Sequence, residues 1–143
     1  MELTTLLIPG YNDSEKEIDE MSQWVVDRLG PDVPMHFTAF HPDYKLMDAP
    51  RTPLSTLQRS REIAMKNGVR YAYVGNVHDP AGDSTYCHQC GKLLIGRDWY
   101  VLSEWNLDAE GKCTKCATPC AGVFEAQPGD WGPRRQPVQM KFS

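Results

Sequence analysis

The chain has 143 residues, of which 41% are hydrophobic and 24% charged, and its formal net charge is −4. This composition is ordinary for a globular protein, and the charge gives no general attraction to nucleic acid or to anionic lipid. No stretch approaches the roughly 18 consecutive apolar residues that a membrane span needs, and no signal-peptide pattern is visible. Five cysteines, four of them in close pairs, favour a cytoplasmic metal site over a secreted disulfide framework.

The first part of the chain alternates strand and helix patterns. Ser14 and Glu17 form a capping box that predicts the start of a first helix, which Gly30 ends. Thr52 and Pro53 predict the start of a second helix, as its N-cap and its first-turn proline. Short β-rich runs predict three strands, at residues 3–9, 35–40 and 70–76.

This order of elements is typical of a parallel α/β sheet or barrel, with strands buried on both faces. Three strands and two helices are too few to complete such a fold, and one edge of the sheet would stay open. We therefore expect residues 1–79 to be the last strand–helix units of a larger α/β domain whose beginning is absent from this chain.

The second part of the chain shows no helical period. Residues 78–85 are rich in Gly, Pro and Asp and are predicted to be a linker. Apolar runs on either side of the segment 96–98 predict a β-hairpin. We expect a small β module over residues 80–126 and an irregular tail over residues 127–143.

Two Cys-x-x-Cys pairs give the most specific signal: Cys87 with Cys90, and Cys113 with Cys116, 22 residues apart. Such a turn directs two thiolates to one point, and structural Zn²⁺ prefers four of these ligands in a tetrahedron. We therefore predict a zinc-ribbon-like module with a closed, structural site made of four cysteines. Two disulfides, or four unrelated buried thiols, are the alternatives.

Two more residues lie close to these pairs. Cys120 extends the second pair to Cys-x2-Cys-x3-Cys, a spacing with a faint similarity to iron–sulfur ligand runs. Because the first pair already supplies two fitting ligands, we expect Cys120 to be a spare thiol. His88 lies inside the first pair and could replace a ligand, although an exposed histidine is the simpler interpretation.

Five segments, in this order, resemble the C-terminal part of the AmmeMemoRadiSam system radical SAM enzyme, a relative of the pyruvate formate-lyase activating enzymes. The resemblance covers about residues 1–124. Its most specific feature is the combination of "HPDYK" with the paired cysteines. The segments are "TTLLIPGYND", "VPMHFTAFHPDYKLMDAPRTP", "RYAYVGNV", "TYCHQCGKLLIGRDWYVL" and "GKCTKCATPCAGVF".

The resemblance implies a partial (β/α) barrel that binds a [4Fe–4S] cluster and S-adenosylmethionine and forms a 5′-deoxyadenosyl radical. It also implies that Ile8, Pro9, Gly10 and His41, at the ends of two strands, lie against the adenosine. From the residues alone, Ile8 would be core and His41 a capping or surface residue. The cluster-binding Cys-x3-Cys-x2-Cys motif is absent from this sequence. We therefore expect an inactive C-terminal fragment that carries zinc, with S-adenosylmethionine and [4Fe–4S] bound only by the intact enzyme.

The resemblance also implies partners. The first is the missing N-terminal half of the barrel, and family association adds Memo-like and AMMECR-like proteins. No membrane partner is expected, and the predicted location is the cytoplasm.

Two other functions compete with this interpretation. A non-enzymatic zinc-ribbon protein could bind a protein or nucleic acid, but residues 80–143 hold seven Lys or Arg and seven Asp or Glu, which argues against phosphate binding. The module could instead exchange thiols, but neither cysteine pair follows a strand at a helix start, as thioredoxin-like pairs do.

Overall fold

A parallel three-stranded sheet with two helices forms the first half of the molecule. The computed structural model describes residues 1–129, 132 and 134. The strands lie side by side in the order β1-β2-β3, with Leu3 opposite Met35 and Met35 opposite Ala72. The elements in chain order are β1 (Leu3–Leu7), α1 (Glu15–Leu29), β2 (Met35–Ala39), α2 (Leu54–Lys66) and β3 (Ala72–Gly75).

The capping box at the start of α1 is confirmed. The Ser14 hydroxyl accepts a hydrogen bond from the Glu17 main-chain N–H at 3.3 Å and donates one to the Glu17 carboxylate at 2.6 Å. Gly30 ends the helix with a φ of 93°, a conformation that glycine adopts without steric cost. Ile18 and Val25 are buried against the sheet, as their helical spacing predicts.

The predicted start of α2 is wrong in one respect. The helix begins at Leu54, its N-cap is Pro53, and no side chain caps it. Thr52 is buried and directs its hydroxyl to the strand ends instead, where it makes two hydrogen bonds to the main chain. The hydroxyl thus bonds the sheet and makes no hydrogen bond to the first N–H groups of the helix.

The core of this half lies between the helices and one face of the sheet. Alternate strand residues face it, and β2 shows the pattern most clearly, with Met35, Phe37 and Ala39 buried. The opposite face is half-buried or exposed, and Leu6 on β1 is 44% exposed. Burial of both strand faces, as the sequence predicted, is therefore not seen in the described part of the chain.

An antiparallel three-stranded sheet forms the second half, with the strand order β4-β5-β6. A single helical turn, α3, lies in the segment that was predicted to be a linker. Pro80 fixes the backbone at its first position, and the Ser84 hydroxyl bonds the Pro80 carbonyl at 2.6 Å. The elements are α3 (Pro80–Asp83), β4 (Thr85–Tyr86), β5 (Leu93–Asp98) and β6 (Val101–Trp105).

The predicted hairpin is present, but its turn lies further along the chain than expected. Asp98 pairs with Val101, so the two-residue turn is Trp99-Tyr100. Gly96 belongs to β5, where the pairing register with β6 shifts. A Cβ at Gly96 would lie 2.5 Å from the Ser103 hydroxyl, so glycine is needed there for close strand approach.

Two tyrosines of the first half join it to the second. The Tyr71 hydroxyl accepts a hydrogen bond from the Ala121 N–H at 2.9 Å, and the Tyr73 hydroxyl lies 2.9 Å from the Thr85 hydroxyl. The protein is thus a mixed α/β fold with one parallel and one antiparallel sheet in contact. The domain boundary between residues 79 and 80 stays a prediction, and most of the predicted tail lies outside the described residues. Among the helices described, none has the length and apolar character needed to span a bilayer.

Candidate metal centre

The first cysteine pair lies on a tight turn closed by two main-chain hydrogen bonds. The Gly91 N–H donates to the Cys87 carbonyl at 2.9 Å, and the Cys87 N–H donates to the Lys92 carbonyl at 2.8 Å. Gly91 has a φ of 70°, the left-handed conformation that lets the chain reverse after the second cysteine. Both Cys87 and Cys90 therefore face the same side of the turn.

The second pair repeats this turn with the same spacing. The Ala117 N–H donates to the Cys113 carbonyl at 2.8 Å, and the Cys113 N–H donates to the Thr118 carbonyl at 2.9 Å. Ala117 has a φ of 58° at the position that glycine occupies in the first turn. The Lys115 N–H also points at the Cys113 sulfur, at 3.4 Å. The two turns are local copies of one structure.

The hairpin brings the two turns together. The Asn106 N–H, just after β6, donates to the Leu94 carbonyl at 2.7 Å. Asn106 in turn accepts hydrogen bonds from the Thr114 N–H at 3.2 Å and the Thr114 hydroxyl at 3.1 Å. The second cysteine pair is thereby fixed to the hairpin that follows the first pair.

The four sulfur atoms converge on one point. Cys87 Sγ lies 3.5 Å from Cys116 Sγ, Cys90 Sγ lies 3.7 Å from Cys113 Sγ, and all four atoms lie within 4.8 Å of one another. A tetrahedron with metal–sulfur bonds of about 2.3 Å has edges of about 3.8 Å, close to these separations. A disulfide would need about 2.05 Å, and all five cysteines are free. The four thiols could therefore hold a metal ion.

The surroundings of the thiols lower the pKa of two of them. The Thr118 hydroxyl, 3.2 Å from the Cys116 sulfur, and the Thr118 N–H lower the pKa of Cys116 to about 6. Burial raises the pKa of Cys113, but main-chain N–H groups of the same turn outweigh burial and lower that pKa overall. A main-chain N–H lowers the pKa of Cys90, yet burial and the neighbouring thiols outweigh it and raise that pKa to about 11. A bound cation would favour the thiolate at every position.

Two nearby residues stay outside the four-sulfur cluster. Cys120 is buried in the small core beneath the cluster, where burial raises the pKa of its thiol. His88 is exposed inside the first turn. Neither belongs to the group of side chains that could hold the ion.

The four residues assigned to adenosine by resemblance lie at the carboxyl edge of the parallel sheet. Ile8 and Pro9 are half-buried and Gly10 is exposed, in a loop that follows β1. His41 follows β2, its side chain is 56% exposed, and its Nδ1 lies 2.9 Å from an oxygen of the Asp43 carboxylate. In the described part of the chain no hydrogen bond links any two of these four residues. Their role towards a ligand stays a prediction.

Sequence reasoning missed how the strands end at this edge. The Asn12 amide donates to the Leu6 carbonyl at 3.0 Å and accepts from the Ile8 N–H at 2.7 Å, on the outer side of β1. The Asn76 amide donates to the Ala39 carbonyl at 3.3 Å, between β2 and β3. The only signal in the sequence is a polar residue in the loop after each strand, and that signal is too common to assign such a contact.

The fold and the site define a mixed α/β protein with a four-cysteine cluster suited to a metal ion. Over 117 residues, 81% of its length, the chain is 44% identical to the uncharacterized protein MJ0808 of Methanocaldococcus jannaschii. The match covers 35% of that protein, so the chain spans about a third of the curated relative that it matches. No family model matches the chain. No solved structure matches it either.

Proposed function

We propose that Cys87, Cys90, Cys113 and Cys116 hold one Zn²⁺ whose role is structural. The observation that carries the proposal is the convergence of four sulfur atoms from two matched turns, with separations that suit a zinc tetrahedron. Four protein ligands leave no position for water or substrate. The second half of the chain has only a small core, so the free energy of metal binding contributes directly to its folding.

Metal content tests this proposal. The native protein should contain one zinc per chain, and thiol counting under denaturing conditions after metal removal should find five free cysteines. Zinc well below one equivalent would contradict the proposal. If the protein instead binds iron tightly, with the absorption spectrum of an iron–thiolate site, the four proposed ligands would be right and the proposed metal wrong.

We propose further that this chain corresponds to the C-terminal part of a radical SAM enzyme of the AmmeMemoRadiSam type. The five resembling segments support this proposal, together with a parallel strand–helix order and a match to about a third of a longer relative. In this proposal the three parallel strands are the last strands of a partial barrel. Ile8, Pro9, Gly10 and His41 then lie on its adenosine side.

The remainder of the larger enzyme supplies the radical chemistry in this proposal. A [4Fe–4S] cluster bound there would supply the electron needed to cleave S-adenosylmethionine. The present sequence contains no Cys-x3-Cys-x2-Cys motif, and its two Cys-x-x-Cys pairs are those proposed to form the closed zinc site. Residues 1–79 contribute strands and part of the adenosine side.

Cleavage of S-adenosylmethionine tests whether the cluster site lies in the remainder of the enzyme and not in this chain. This chain, incubated with iron, sulfide and a strong reductant, should form no 5′-deoxyadenosine. Addition of the part of the relative that lies outside the match should allow 5′-deoxyadenosine to form. Catalytic formation of 5′-deoxyadenosine by this chain alone would show that it contains a cluster site. That result would refute the proposal that the cluster is bound only by the remainder of the enzyme.

A non-enzymatic binding module is the second candidate. The observation that favours it is the exposed apolar tip of the β5–β6 hairpin, where Trp99, Tyr100 and Val101 are 51%, 68% and 58% exposed. Such a tip suits a protein partner better than nucleic acid, because the residues around it include Asp98 and Glu104. Failure of the complementation experiment, together with an intact zinc site, would favour this candidate.

A further inference from the structure

The parallel sheet ends differently at its two edges. At the amino edge, main-chain hydrogen bonds continue: the Leu3 N–H donates to the Pro34 carbonyl and the Met35 N–H to the Tyr71 carbonyl, both at 2.9 Å. At the carboxyl edge, side chains take the positions of main-chain partners. Thr52 is the most deeply placed of these side chains, since it is only 2% exposed.

The Thr52 hydroxyl occupies the position of a missing hydrogen bond between β1 and β2. Because Leu7 lies opposite Ala39 in a parallel pair, the next direct bond would run from the Phe40 N–H to the Leu7 carbonyl. The Thr52 hydroxyl instead accepts from the Phe40 N–H at 2.9 Å and donates to the Leu7 carbonyl at 2.5 Å. A direct bond would hold these two groups about 2.9 Å apart, whereas the inserted oxygen keeps the strands further apart.

Several contacts hold this hydroxyl in place. The Thr52 N–H donates to the Phe40 carbonyl at 3.1 Å, so Thr52 contacts both main-chain polar groups of that residue. Pro53 follows and restricts Thr52 to extended conformations. The β-branched side chain has few rotamers, so the hydroxyl has little freedom to leave the gap.

The residues that follow the bridged positions are Ile8 and His41, the two side chains proposed to lie against adenosine. We infer that Thr52 is a positioning residue, whose hydroxyl holds the ends of β1 and β2 apart and so sets the spacing of Ile8 and His41, against which a purine nucleoside binds. This inference rests on the proposed adenosine side. It adds a residue that does not itself contact the ligand.

Removal of the hydroxyl should let the gap close. In T52A no side-chain atom remains between the two groups, so the Phe40 N–H can bond the Leu7 carbonyl directly, which draws the strand ends together. T52S keeps the hydroxyl and should keep the gap. T56A is the matched control, because Thr56 is also a buried threonine but takes no part in the bridge.

Adenosine binding and amide nuclear magnetic resonance together test the inference on the full chain. The unaltered chain, T52S and T56A should bind adenosine within about twofold of one another, and T52A about tenfold more weakly. Cross-strand distances between the Leu7 and Phe40 regions should shorten in T52A alone. Zinc content and circular dichroism check that each variant is folded, and T52G replaces T52A if the alanine variant does not fold.

The outcomes separate the inference from the proposal beneath it. If the unaltered chain does not bind adenosine, the proposed adenosine side of this chain is wrong, and the inference falls with it. If the unaltered chain binds and the variant without the hydroxyl binds equally well, the inference alone is wrong. Unchanged cross-strand contacts in that variant would also refute it, even if binding weakened.

Discussion

Gly91 and Ala117 occupy equivalent positions in the two cysteine turns, and both have left-handed backbones, with φ values of 70° and 58°. Each follows the second cysteine of its pair and donates its N–H to the carbonyl of the first. An L-residue with a Cβ is strained in this conformation and glycine is not. The second turn therefore carries a conformational cost that the first turn avoids.

Exchange of these residues should change stability in opposite directions. We expect A117G to raise the free energy of unfolding of the zinc-loaded protein by up to about 1 kcal/mol, and G91A to lower it by about 1 kcal/mol. A Cβ at Gly91 would meet no atom within 4 Å, so the cost there is conformational and not a clash. Urea unfolding measures both changes, and a stabilising G91A would contradict the explanation.

Loss of a metal ligand should unfold the second half. Each single change C87S, C90S, C113S or C116S should reduce bound zinc and lower the free energy of unfolding by more than about 3 kcal/mol. Residues 80–126 should then no longer unfold cooperatively. C120S is the control, expected to keep one zinc and to cost about 1 kcal/mol, because Cys120 is buried but is not a ligand. Equal zinc loss in C120S would place that residue in the site.

The hydroxyl of Tyr71 should matter for the contact between the two halves. In Y71F the N–H of Ala121 would lose its acceptor, at a cost of about 1–3 kcal/mol in unfolding free energy. Y86F is a suitable control, because the Tyr86 hydroxyl has no hydrogen-bond partner among the described residues and its ring faces Arg61. A Y71F protein as stable as Y86F would show that water replaces the contact.

Tyr71 should also make stability depend on alkaline pH. Burial is the largest cause that raises the pKa of Tyr71 well above its ordinary value. The folded state then retains a proton that the unfolded state loses above about pH 10, so stability should decrease as pH rises through that value. The decrease should be smaller in Y71F, as paired denaturation curves at pH 8 and pH 10.5 would show.

The outer edge of β1 should promote association. The N–H of Leu3 bonds towards β2, so the N–H and carbonyl of Thr4 point away from the sheet, and Thr4 is exposed. We expect concentration-dependent self-association that T4P reduces, because proline removes an outward N–H. T5P is the contrasting variant, since it removes a bond within the sheet and should unfold it. If sedimentation velocity shows identical association for T4P and the unaltered chain, the outer edge of β1 is not the surface through which the chains associate.

The parts of the structure that local sequence patterns determine were predicted well. The Ser14 capping box, the alternation of strands and helices, and the two cysteine turns each depend on a few neighbouring residues. Contacts between distant residues were not predicted. Thr52 resembles a helix cap in sequence, and only the approach of Leu7, 45 residues away, gives its hydroxyl a better partner.

Apolar character alone does not define the buried face of α2. Ile63 packs against the core, whereas Met65 is 42% exposed. Thr56 and Ser60 are buried in the place of larger apolar residues, and the Ser60 hydroxyl is satisfied by the Thr56 carbonyl at 2.9 Å. A small hydroxyl that bonds its own helix can be buried, and apolar periodicity does not detect it.

The repeated cysteine turn also determines how an ion would enter and leave. Each turn is closed by its own main-chain bonds, so one pair can capture an ion before the other arrives. The hairpin then presents the second pair at a high effective concentration, and capture by four ligands becomes an intramolecular step. An ion that dissociates from one pair is recaptured before it is lost from the other. Exchange with free metal should therefore be slow compared with the opening of either turn, and the ion should remain with the chain for long periods even where free zinc is scarce.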